Sequence, residues 1–464
     1  MTSPSPPERP APGWKVLLAL LSLALTALLW VDGLVGSLER PSVVDALGLR
    51  QLELAVLAEE SLPDPLHDLV AGRDPRGALA GELRRQIEAA STPVPAQRRL
   101  ELALLERGSS DLRTSSDAES QLADLVETVD APRRPLVQAL QLGETLPQAR
   151  QAELLARWTP STLLSQLSCE QLPGAGPCPA TLQAAALRGK LLGVTVAPAL
   201  FLLLGALLLL QQLWQWRRGR LPAAAPLIGP RLTPVDATLL IAGGFVLVGE
   251  VITPQLLQGP LQLGLAGLTP SLAQGLQVLL LYLGLMVAPL ALLALQLRGL
   301  GTPPSGGWLQ WRWRPPLPVL LQALRMVLTV LPLVALCGWL VDWLWSDPGG
   351  SNPLLELVLT SGDGLALLCF GLTAMGLAPL FEEMLFRGVL LPVVATRAGG
   401  PVAVVISAAV FALAHLSLSE LTPLFVLGLG LGWLRWRSGR LAATVLMHAL
   451  WNGLTFLNLW LLAD

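Results

Sequence analysis

Apolar positions along this chain fall into two textures. A Pro-rich polar start bearing Arg9 and Lys15 leads into an apolar run from Val16 to Val31, and from about Gly36 to Lys190 apolar residues return only at intervals among charges and prolines. Beyond Lys190 the continuous runs resume, at about 191–213, 235–257, 275–297, 317–345, 364–386, 401–418, 422–434 and 441–462. A bilayer core of about 30 Å takes roughly 20 helical residues to cross, so these runs predict membrane helices, about nine in all with the first. The first run reads as a signal anchor, since no clear small-x-small cleavage site follows it, with a cleaved signal peptide as the alternative for so short a run. In the polar stretch Leu79, Leu83 and Ile87 share one helical stripe, Ser116 with Glu119 has the form of a capping box, and Pro63, Pro75, Pro93 and Pro132 mark breaks. The expected fold is all-α: a polytopic membrane bundle with an exported α-helical domain between its first and second spans. Its expected divisions are 1–15 tail, 16–36 anchor, 37–190 polar domain, 191–345 N-terminal membrane helices and 360–464 C-terminal core.

Charge placement adds an orientation. Only 14% of the 464 residues are charged against 53% hydrophobic, the balance of a membrane protein. Cytoplasmic loops collect Lys and Arg. An N-terminus inside puts Arg217, Arg218 and Arg220, then Arg298, Arg312 and Arg314, then Arg387 and Arg397, then Arg435, Arg437 and Arg440 on that side, while 258–274 and 346–363 hold neither residue type. The polar domain is then extracytoplasmic, where Cys169 and Cys178 have the redox conditions to form a disulfide. Cys337 and Cys369 sit in apolar runs and read as small core residues. A net charge of −2 without a basic, aromatic-interleaved cluster argues against a nucleic-acid partner.

Ionisable side chains in lipid are costly, and the C-terminal quarter concentrates them. Glu383 and Arg387 stand at i and i+4 with the acid first, the favoured ion-pair order, whereas Glu382 points about 100° away around the helix. His448 and Asn452 also share a face, and His415 follows Phe411 by one turn. A carboxylate, two imidazoles and a carboxamide support two schemes of peptide hydrolysis. In one, Glu382 takes a proton from water with help from His415 while His448 and Asn452 steady the oxyanion. In the other, Glu382, His415 and His448 hold Zn²⁺, and no HExxH helix imposes that choice. The blander alternatives are polar residues that only stitch helices together and a transporter path, which would show related polar positions in both halves of the bundle. Glu250 near the outer end of its span, Arg325 near the inner face and the solitary His67 read as structural, and Trp308, Trp311, Trp313, Trp433 and Trp436 as an interfacial belt.

The stretch from Phe381 to Gly388, with Glu382, Glu383 and Arg387, has the form EExxxR; Phe411 and His415 form FxxxH, and His448 and Asn452 form HxxxN. In this order on consecutive apolar spans they resemble the CAAX protease and bacteriocin-processing (Abi) family of intramembrane endopeptidases. The resemblance implies an intramembrane protease with Glu382, His415, His448 and Asn452 catalytic, Glu383, Arg387 and Phe411 supporting, and a membrane-anchored or prenylated (CAAX-like) protein or peptide as substrate. Zn²⁺ is the one cofactor it leaves open. An inactive scaffold or immunity protein that kept the motifs is the nearest rival. The polar domain falls outside the family pattern and is expected to serve recognition, regulation or assembly with a protein partner.

Overall fold

The computed structural model describes residues 11–463 apart from 41–42, 91–92, 109–111, 160, 173–177, 222, 346–349 and 351–352; of the expected tail, residues 1–10 with Arg9 lie outside the described residues, and the first helix begins at Gly13 rather than at 16. The structure is all-helical, with no strand among the described residues. It forms two compact units, one of residues 1–43 and 200–457, the other of 44–199 with 458–464.

The polar unit runs through helices Val43–Ala58, Asp64–Val70, Pro75–Ala89, Ala96–Arg107, Leu112–Thr128, Arg134–Leu142, Gln148–Leu155 and Thr162–Gln171. Local chemistry sets their ends. Asp74 caps Pro75–Ala89 by accepting the Gly77 amide at 2.8 Å, and Gly143 closes Arg134–Leu142 in the left-handed conformation that glycine takes without strain. Leu79 and Leu83 are fully buried, with Ile87 packed beside them, as the stripe predicts. The box at Ser116 is not a cap. Its helix begins at Leu112, because the apolar stripe through Leu122 and Leu125 is served by an earlier start, and Glu119 instead meets Arg107 Nε at 2.8 Å. Cys169 and Cys178 are joined in a disulfide with Cα atoms 5.7 Å apart.

A charged knot lies inside this unit. Arg98 bridges Glu53 and Glu101, donating to Glu101 at 2.9 Å, and Glu101 is wholly buried. Burial holds the Glu101 carboxyl above the ordinary carboxylate range despite the attraction of Arg98.

Among the described residues of the whole chain, seven helices are long and apolar enough to cross a bilayer, rather than nine: Gly13–Glu39, Ala184–Arg217, Pro234–Leu265, Pro270–Arg298, Pro316–Leu344, Gly364–Ala398 and Leu441–Leu462. Gly400–Leu413 is apolar but has 14 residues, about 21 Å at 1.5 Å per residue. Leu418–Ser438 has the length, but glycines and the charges of Glu420, Arg435 and Arg437 dilute its apolarity. That helix packs between Gly400–Leu413 and Pro316–Leu344. A Cβ on Gly428 would stand 3.0 Å from the Ala408 backbone, and one on Gly430 would stand 2.5 Å from the Val330 side chain, so two neighbours approach it on different faces.

Two long helices carry widened π-type turns, at Leu239–Ile252 in one and at Leu372–Leu377 and Met384–Leu390 in the other. Such turns disturb the i→i−4 ladder, and in lipid every displaced carbonyl needs another donor. Neighbouring helices supply them: Asn452 Nδ2 donates to Ala374 O at 2.8 Å, Ser407 Oγ to Phe386 O at 3.1 Å and Arg435 Nε to Arg387 O at 3.2 Å.

Arg98→Met leaves Glu53 and Glu101 buried without their shared cation and is expected to destabilise the polar unit by about 3 kcal/mol. Loss of amide hydrogen-exchange protection across Ala96–Arg107 in the purified full chain measures it.

Candidate active site

The residues Ala378–Glu383 form a short regular helical stretch set between two π-type segments, and the two adjacent acids end it. Adjacent helical positions diverge by about 100°, so the two side chains enter different surroundings. Glu383 is fully buried, and its Oε1 accepts from Arg387 Nη1 at 2.9 Å and from His448 Nδ1 at 3.1 Å. Arg387, also fully buried, donates from Nη2 to Gly428 O at 3.1 Å, and its guanidinium lies 4.4 Å from the centre of the Phe411 ring. This one acid–base pair therefore ties together the Gly364–Ala398 helix, the Leu418–Ser438 helix and the last helix. A carboxylate can only accept, so the bond to Glu383 fixes Nδ1–H on His448.

Glu382 faces a cavity of about 190 Å³. Phe245, Leu285, Phe386 and Ala414 form its apolar wall, and Glu250, Tyr282, Glu382 and His415 its polar lining. At about 30 Å³ per water in the liquid, the space admits several water molecules, and the polar lining offers them partners. Tyr282 donates its hydroxyl to Glu382 Oε1 at 3.2 Å, while Oε2 is buried with no hydrogen-bond partner among the described residues. His415 lies just past the end of Gly400–Leu413, its Nδ1 2.8 Å from Phe411 O. A carbonyl oxygen cannot donate, so this bond fixes Nδ1–H and leaves Nε2 as the free ring nitrogen. Ring contacts hold the arrangement: Phe411 touches the imidazoles of His415 and His448 at centroid distances of 4.7 and 5.6 Å, and Phe386 meets Phe411 edge-on at 5.6 Å.

The structure thus places Glu382 and His415 on one cavity. His448 is 3% exposed and tied to Glu383, and one amide hydrogen of Asn452 is committed to Ala374 O; neither residue lines that cavity. Among the described residues no group of three or more His, Cys, Asp or Glu suited to a metal occurs. Two further polar residues of the cavity escape the motif reading. Glu250 is central in Pro234–Leu265, which runs on well past position 257, and so it lies on the cavity instead of at a span end. Tyr282 is the chain's one tyrosine. A lone acid and a lone phenol in otherwise apolar spans are the signals that mark them.

The chain is all-helical, carries several apolar helices that fit a multi-pass membrane protein, and brings an acid and an imidazole to one cavity. Residues 364–454 match the family model described as type II CAAX prenyl endopeptidase Rce1-like, so the C-terminal segment is a domain of that CAAX-type intramembrane protease family. Residues 44–187 match a separate model, described as a domain of unknown function (DUF8675). No curated protein and no solved structure matches the chain.

Arg387→Met strands the buried Glu383 charge and is expected to cost about 3–5 kcal/mol, seen as lowered thermal stability in detergent. Adding Glu383→Gln removes that stranded charge, so the double variant should melt above Arg387→Met alone.

Proposed function

We propose that the protein is an intramembrane endopeptidase that hydrolyses a peptide bond of a membrane-associated or prenylated (CAAX-like) protein or peptide, with water activated by Glu382 and His415. The observation that carries this reading is their convergence on one cavity, with Glu382 Oε2 and His415 Nε2 both uncommitted among the described residues. The match of residues 364–454 to a prenyl endopeptidase family supports it independently.

Water between those two atoms loses a proton to Glu382, and the hydroxide attacks the scissile carbonyl carbon. His415 accepts the second hydrogen bond of the water and orients it. The carbonyl oxygen becomes an oxyanion, for which the second amide hydrogen of Asn452 is the donor in this reading, while His448, with its Nδ1–H given to Glu383, acts as a positioning residue. Breaking the carbon–nitrogen bond returns the proton from Glu382 to the departing amine. The polar unit stands on the extracytoplasmic side, with the N-terminus cytoplasmic, and serves recognition or assembly with a protein partner. Arg387 and Arg435, expected in cytoplasmic loops, are instead buried within helices; the remaining arginines, Arg217, Arg218, Arg220, Arg298, Arg312, Arg314, Arg397, Arg437 and Arg440, and the Cys169–Cys178 disulfide support this orientation.

Purified protein in detergent, offered a pool of membrane-anchored peptides with and without a prenyl group, is expected to cleave at least one of them. Glu382→Ala and His415→Ala should each lower kcat by on the order of 10²–10⁴-fold with folding retained, and chelator should leave the wild type active. Full activity in both variants would sink the assignment.

A further inference from the structure

We infer that Tyr282 is a positioning residue of this cavity: its hydroxyl commits Oε1 of Glu382 and leaves Oε2 as the oxygen that takes the proton from water. The inference rests on the protease reading and adds to it a residue outside the family-matched segment 364–454.

A phenol within an apolar helix costs more than a phenylalanine would unless its O–H finds an acceptor. Among the 464 residues a single position carries that group, within Pro270–Arg298, and the acceptor it meets is Glu382 Oε1 at 3.2 Å, although Glu250 lines the same cavity. The hydroxyl therefore distinguishes one of the two acids from the other. Its reach is fixed by packing. The Tyr282 ring stands edge-on to Phe381, the residue before Glu382, with centroids 6.3 Å apart and planes at 88°. The Pro270–Arg298 helix is held close to the start of the Gly364–Ala398 helix, since a Cβ on Gly275 would come within 2.8 Å of the Ala366 Cα.

A carboxylate with both oxygens free can rotate about its last bond and present either one, or neither, to water. With Oε1 bonded to a tyrosine that cannot retreat, the rotation is stopped, and the buried Oε2 is the one without a partner. The proton from water goes to Oε2, the hydroxide oxygen bonds to the carbonyl carbon, and the same proton later leaves Oε2 for the amine nitrogen as the carbon–nitrogen bond breaks. Tyr282 exchanges no atom in this sequence; it keeps the accepting oxygen in place.

Because Tyr282 is the only tyrosine, protein grown with 3-fluorotyrosine gives one ¹⁹F resonance. That resonance is expected to shift in Glu382→Ala and to stay in place in His67→Ala, whose site lies in the polar unit. Tyr282→Phe keeps the ring against Phe381 and removes only the hydroxyl, so kcat for a cleaved peptide should fall on the order of tenfold with KM unchanged. A resonance that ignores Glu382→Ala, or a Tyr282→Phe variant with unchanged kcat, overturns the positioning role while leaving the protease reading in place. Absence of cleavage by the wild type together with a shifted resonance overturns the protease reading, and the role of Tyr282 in it, but keeps the hydrogen bond.

Discussion

The buried pair of Glu383 and Arg387 is the constraint on which the rest of the membrane unit depends. Two opposite charges with no exposure to solvent are unfavourable unless each finds hydrogen bonds beyond the other, and the surrounding helices are arranged to supply them. Arg387 reaches the carbonyl of Gly428 and the face of Phe411, and Glu383 reaches His448. Each partner comes from a different helix, so the pair fixes the relative placement of the elements that carry the chemistry. Gly428 must be glycine for its helix to sit against Ala408, and that close fit keeps its carbonyl within reach of Arg387. A structural ion pair and the seating of one imidazole are thus a single arrangement.

The widened turns belong to the same logic. An α-helix in lipid satisfies its own backbone; a π-type turn gives up part of that self-sufficiency in exchange for a shifted angular register of the residues beyond it. Glu382 and Glu383 lie between two such segments, and Glu250 lies in a third. The carbonyls at Ala374, Phe386 and Arg387 receive donors from Asn452, Ser407 and Arg435. Asn452 therefore holds the backbone ahead of the acids with one amide hydrogen and has a second for other work. The observed structural role and the proposed catalytic one meet in this side chain, and for that reason its motif position alone does not separate them.

Much of this was legible in the sequence and some was not, for physical reasons that differ from residue to residue. Helical spacing of i and i+4 carries the pairing of Glu383 with Arg387, because that geometry is local. The bond from His448 to Glu383, 65 positions away, depends on how two helices pack and has no sequence period to announce it. The same holds for the bond of Tyr282 to Glu382, 100 positions away. Apolar length predicts nine spans, but a helix enclosed by other helices need not be apolar throughout. Leu418–Ser438 has glycines for close packing and an Arg435 that donates to the carbonyls of Ile228 and Arg387. Hydropathy measures fitness for lipid, and this helix buries its glycines and Arg435 against protein.

The proposed hydrolysis within a membrane sets a requirement that accounts for the two kinds of wall in the cavity. Water must be present at the bond to be broken and excluded from the helix contacts around it, since each wet backbone carbonyl weakens the fold. Phe245, Phe386 and Phe411 pack edge-on in series from the cavity to the ion pair, with Phe411 in contact with both histidines. An aromatic ring is rigid enough to hold an imidazole and apolar enough to keep solvent from Glu383 and Arg387. The same rings therefore keep one acid dry as the anchor of the fold while the acid beside it in sequence faces a cavity large enough for water. Adjacent glutamates in one helix acquire opposite duties because the aromatic wall passes between the surroundings they enter.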